Sequence, residues 1–111
     1  MNKVVLRAAG ALAITLPTVT VQAADWAVVG QVTYIEASPM PGSFSLQSTT
    51  AGGTCSAGAW LNWNAKGADA AAKSANAAAM LAIVASAKLS GRPVTLVGNN
   101  SGCTLDNIYL N

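Results

Sequence analysis

The hydrophobic positions of the chain switch between a period of two and a period near 3.6, and each switch marks an element. Residues 26–36 are rich in Val, Thr and Tyr, with Gly30 in their middle, and predict a first strand that bends or bulges at the glycine. A strict period of two would put Gly30, Val32 and Tyr34 on one face and Val29, Gln31, Thr33 and Ile35 on the other. Ser38-Pro39-Met40-Pro41-Gly42-Ser43 predicts a turn, because two prolines and a glycine deny regular pairing. Phe44-Ser45-Leu46-Gln47-Ser48 then alternates apolar and polar, as a half-buried second strand does. Thr49 to Ala59 carries three glycines around Cys55 and reads as a loop. In a short third strand, Trp60-Leu61-Asn62-Trp63, Leu61 and Trp63 point one way and Trp60 and Asn62 the other.

From about Asp69 to Leu89 the pattern becomes helical, with ten alanines and neither Gly nor Pro inside. Asp69 is placed to cap the start, and Gly91 followed by Pro93 is a stop signal. Met80, Leu81 and Val84, with Ala77 and Ala87, make the face that meets a sheet, while Lys73 and Lys88 border it. On the other side Ala71, Ala75, Ala78, Ala82 and Ser86 form a stripe of very small side chains. Two readings of the stripe stand: alanine as the best helix former facing water, or a seam that lets a second helix approach closely, as at a subunit interface. Val94 to Val97 and Cys103 to Leu110 then predict two strands joined by Gly98-Asn99-Asn100-Ser101-Gly102 as a hairpin.

The order is therefore three strands, a helix and two strands. Five strands with the helix between the third and fourth is the sequence order of a small OB-like barrel, and a flat sheet with one covering helix gives the same string. No linker or internal repeat divides residues 24–111, which form a single domain.

The first 23 residues change the picture of where this domain works. Lys3 and Arg7 precede an apolar run from Ala8 to Leu16, Pro17 breaks it, and Val21-Gln22-Ala23 is a small-residue cleavage pattern. This predicts an export signal over 1–23 and a secreted or periplasmic protein; the interruptions from Pro17 onward leave the run too short for a membrane span, and no integral membrane segment is expected after cleavage. Removing 23 of 111 residues leaves 88, one domain with a limited core. In an oxidising compartment the only two cysteines, Cys55 and Cys103, are expected to pair.

Export also changes the charge. Of six Lys and Arg, Lys3 and Arg7 leave with the signal, so Lys66, Lys73, Lys88 and Arg92 balance Asp25, Glu36, Asp69 and Asp106. With no basic field, nucleic acid is not an expected partner. The absence of histidine excludes Ser-His-Asp and Cys-His arrangements and nearly all zinc sites. No phosphate-cradling glycine motif is present, and no metal, cofactor or catalytic set is expected. Glu36 and Asp106 are the remaining conceivable acid/base pair, and their spacing does not support it. Binding chemistry survives: Tyr34 and Trp60, with Ser43, Ser45 and Asn62 as nearby hydrogen-bonding groups, are candidate ligand residues, and Tyr109 is a further aromatic that either binds or fills space. Trp26 and Trp63 are expected in the core.

Several of these features occur together in one family. Trp26 near the mature N-terminus, the strand Gly30-Gln31-Val32-Thr33-Tyr34-Ile35, Cys55-Ser56 ahead of a tryptophan, and the helix exit Ser90-Gly91-Arg92-Pro93-Val94 occur in an order that resembles the binding subunits of pentameric bacterial A-B toxins, especially subtilase cytotoxin B subunits. The resemblance implies an OB-like barrel, a homopentamer with helices around a central pore, and glycan recognition on the outer face. Subtilase-type subunits bind sialylated glycans with a serine just before the first strand's glycine and a tyrosine at the end of the strand after the helix; here those positions hold Val29 and Gly98. The expected function is a secreted, non-catalytic binding module for a glycan, with a structural or inhibitory protein-interaction module as the alternative.

Overall fold

The long first strand of the sequence divides at Gly30. In the computed structural model, which describes residues 23–111, Trp26–Gly30 (β1) pairs antiparallel with Val94–Gly98 (β5), whereas Val32–Glu36 (β2) pairs antiparallel with Ser43–Ser48 (β3). Gln31 is the hinge between the two ladders: Thr49 Oγ1 accepts from its backbone N–H at 3.0 Å, and its carbonyl accepts from the Thr49 N–H at 3.0 Å. Glycine is needed at position 30 because a Cβ there would collide with the Ser48 hydroxyl and lie 2.9 Å from Thr50 Oγ1.

Two three-stranded antiparallel sheets result. One has the order β1-β5-β6, with β6 at Leu105–Leu110; the other has β2-β3-β4, with β4 at Leu61–Asn64. A short 3-10 turn, Ser101–Cys103, joins β5 to β6. Across the far side the sheets meet at a single parallel bridge, Asn62 with Thr104, and at the hydrogen bond from Asn62 Nδ2 to the Gly102 carbonyl at 3.0 Å. The expected closed five-stranded barrel is therefore not formed. Six strands replace five because the chain changes sheets at Gly30 and Gln31, and the helix follows the fourth strand, not the third.

That helix, Ala70–Ser90 (α1), begins and ends where its sequence signals stand. Asp69 Oδ1 accepts from the Ala72 N–H at 2.8 Å, satisfying one of the orphan donors of the first turn. Gly91 closes the helix in the left-handed region at φ 71°, its N–H bonded to the Ala87 carbonyl, and its own carbonyl accepts from Gln31 Nε2 at 3.0 Å. The helix exit is thereby tied to the hinge between the sheets. Over 18 residues α1 reaches a mean hydropathy of 1.3, enough by length and composition to cross a membrane, with 17% of that window buried. Alanine supplies most of this hydropathy, and the buried residues Ala77, Val84 and Ala87 seat the helix on the sheets.

The core lies between the two sheets and under α1. Phe44 and Leu46 from β3, Leu61 and Trp63 from β4, Val94 and Leu96 from β5, Leu105 and Ile108 from β6, and Val84 from α1 form one buried cluster. Trp26 and Trp63 are both in it, as expected. The Trp63 indole N–H donates to Asn76 Oδ1 at 3.0 Å, and the same oxygen accepts from the Lys66 backbone N–H at 3.0 Å, so one helix side chain fixes the end of β4. Cys55 and Cys103 form the disulfide, joining the 49–59 loop to the β5–β6 turn. A small β-rich domain with one disulfide is compatible with an extracytoplasmic location. The expected signal over 1–23 lies outside the described residues, save Ala23.

Candidate functional site

A β-bulge decides which way Tyr34 points. The register of β2 against β3 runs Val32 to Ser48 and then Tyr34 to Gln47, so it slips by one residue at Thr33, whose hydroxyl donates to the Gln47 carbonyl at 3.2 Å. Period-two alternation would have kept Tyr34 on the buried face of Val32. The extra residue turns it over: Val32 remains in the core, Ile35 packs against it, and Tyr34 stands 62% exposed.

The turned tyrosine joins a platform on the outer face of the β2-β3-β4 sheet. Paired residues share a face, and the strand register defines rows running across the strands. In the first row Tyr34 stands opposite Gln47. Trp60 directly precedes β4 and, with Leu61 opposite Leu46, falls on the far side of the same Gln47, 44% exposed. Two strand spacings, roughly 10 Å, separate the aromatic positions. The second row is Glu36, Ser45 and Asn62, and the third is Ser43 and Asn64. Ser45 Oγ donates to Asn62 Oδ1 at 2.6 Å while Asn62 Nδ2 is held on the Gly102 carbonyl, so these two side chains are fixed before any ligand arrives.

All five predicted ligand residues, Tyr34, Ser43, Ser45, Trp60 and Asn62, thus come to one face. Sequence reasoning missed Gln47, Glu36 and Asn64. Gln47 was legible as a polar position of the alternating β3, whereas Glu36 becomes a platform residue only through its pairing with Ser45.

The other sheet carries different surfaces. An open cleft of about 800 Å³ is lined by Asp25, Lys66, Asn99, Ser101, Thr104 and Asp106 among others. Each carboxylate is tied to the β5–β6 turn: Asp25 Oδ2 accepts from the Asn100 N–H at 2.9 Å, and Asp106 Oδ2 from Asn99 Nδ2 at 3.0 Å. Glu36 pairs into the opposite sheet, so it does not share this cleft with Asp106. Val29 is 55% exposed and lies in one row with Thr95 and the exposed Tyr109. Gly98 lies under the Trp26 indole, where a Cβ would be 2.6 Å from two ring carbons and from the Thr104 carbonyl oxygen. A tyrosine of the kind the resemblance would place there has no room.

The small-residue stripe of α1 is wholly exposed: Ala71, Ala75, Ala78, Ala82 and Ser86 all face away from the sheets, and Leu89 at the end of the helix is 89% exposed. Among the described residues no three His, Cys, Asp or Glu side chains cluster closely enough to hold a metal ion. No family model, curated protein or solved structure matches the chain.

Proposed function

We propose that this is an exported, non-catalytic glycan-binding module whose ligand lies on the outer face of the β2-β3-β4 sheet. The row Tyr34, Gln47 and Trp60 carries the reading. A sugar ring offers C–H faces that stack on aromatic rings and hydroxyl rims that exchange hydrogen bonds with amides; two exposed aromatics flanking a glutamine, beside a fixed Ser45–Asn62 pair, present both.

The test is a glycan array of the mature protein, followed by titration of the best ligand against Trp60→Ala. Loss of one stacking ring should weaken binding roughly three- to ten-fold, with near-ultraviolet circular dichroism showing the fold retained. An array with no bound glycan would sink the proposal.

A second reading, self-association, rests on the uncovered stripe of α1. Small side chains let helices approach closely, and copies of this chain packing their α1 helices side by side around a shared axis would cover Ala71, Ala75, Ala78 and Ala82; the toxin-subunit resemblance sets five as the expected number. Sedimentation equilibrium of the mature protein should then give an oligomer that Ala78→Glu dissociates. A strictly monomeric protein across micromolar concentrations removes this reading and leaves a stand-alone module.

A further inference from the structure

We infer that the platform selects neutral oligosaccharides over acidic ones and that Glu36 sets the choice; the inference rests on the glycan-binding reading above. Its basis is where the few charges of the domain lie. Glu36 is opposite Ser45 in the row next to Tyr34, Gln47 and Trp60, one residue pair along the strands and so about 7 Å away. No other charged side chain among the described residues stands in the three rows of the platform. Lys66 is the base nearest in sequence to β4, but its Nζ sits 4.7 Å from the centroid of the buried Trp63 ring, and the residue lines the cleft on the opposite sheet. Arg92 Nε donates to the Asn111 carbonyl at 2.7 Å, and Lys73 and Lys88 are on α1. Asp25 and Asp106 border the cleft, and Asp69 caps the helix.

The platform therefore holds one formal charge, and it is negative. A neutral ligand meets Glu36 as a hydrogen-bond acceptor for its hydroxyls. A ligand bearing a carboxylate brings two anions within several ångströms with no cation in the same rows, which at bulk-water screening disfavours it roughly three-fold and by more as the site is desolvated. Tyr34 and Trp60 stand farther apart than the width of one pyranose ring, which points to an oligosaccharide lying across the strands in preference to a single sugar.

The experiment pairs each neutral oligosaccharide that binds on the array with the same oligosaccharide oxidised at C6 to the uronic acid, and measures both at low ionic strength. The wild-type protein should prefer the neutral member about three- to ten-fold. Glu36→Gln should bring the ratio near one, Glu36→Lys should invert it, and 1 M salt should flatten the wild-type ratio because the screening length falls to about 3 Å. Altered packing at position 36 alone would change both affinities together and leave the ratio salt-independent. Equal binding of both members by the wild type, preference for the acid, or a ratio unmoved by Glu36→Gln overturns the inference and leaves glycan binding standing. If no neutral or acidic glycan binds, the underlying reading fails, and this inference with it.

Discussion

Replacing Gly98 by alanine adds one methyl group at a place with no free direction. The new Cβ would be 2.6 Å from the Thr104 carbonyl oxygen and 2.6 Å from two carbons of the Trp26 indole. The indole cannot swing away, because its other parts lie against Gly52 and Gly53, where added Cβ atoms would likewise fall 2.6 Å from ring carbons. That loop is in turn held to Cys103 through Cys55, and Thr104 is the residue after Cys103, so both walls belong to one cross-linked unit. Overpacking of a filled core destabilises by about 1 to 3 kcal/mol, and a site closed by backbone and a clamped ring belongs at the upper end. Reduced freedom of the unfolded chain returns about 0.4 to 1 kcal/mol. The net loss is about 2 kcal/mol, which in a domain of this size lowers the melting temperature by roughly 8 to 16 °C. Thermal and urea unfolding followed by circular dichroism measure it, with Gly42→Ala as the control, since nothing lies within 4 Å of a Cβ at that turn glycine. If Gly98→Ala melts together with Gly42→Ala and the wild type, the clamped arrangement of Trp26 is wrong.

Two further perturbations follow from the same contacts. Asn76→Ala gains helix propensity of about 0.5 kcal/mol yet strands the buried Trp63 indole N–H, so it should destabilise by about 1 to 2 kcal/mol in urea titrations, while Asn76→Asp keeps the acceptor and should recover most of the loss. Opening the disulfide by Cys55→Ser with Cys103→Ser releases cysteines 48 positions apart, which in the chain-entropy model lowers stability by about 4 kcal/mol. An unchanged unfolding midpoint in the double variant would show that the bridge does not constrain the unfolded chain.

Features whose causes are local could be read from the residues alone. The helix was legible from its alanines, its Asp69 cap and its Gly91 stop, because propensity and capping act within a turn. The strands β3 and β5, the β5–β6 hairpin and the burial of Trp63 against exposure of Trp60 were legible from alternation and turn residues, and the pairing of Cys55 with Cys103 followed from there being only two cysteines. The rest depended on contacts between strands. Whether Gly30 bends one strand or passes the chain from one sheet to another depends on the partner taken on each side, and β5, which pairs with β1, is far away in sequence. That partition gave two sheets in place of a barrel. The bulge at Thr33 is likewise a property of the β2–β3 register, and it alone carries Tyr34 out of the core and into the row with Gln47 and Trp60. Residue types named the candidate ligand groups; only strand pairing, which joins residues remote along the chain, placed them side by side and set Glu36 among them.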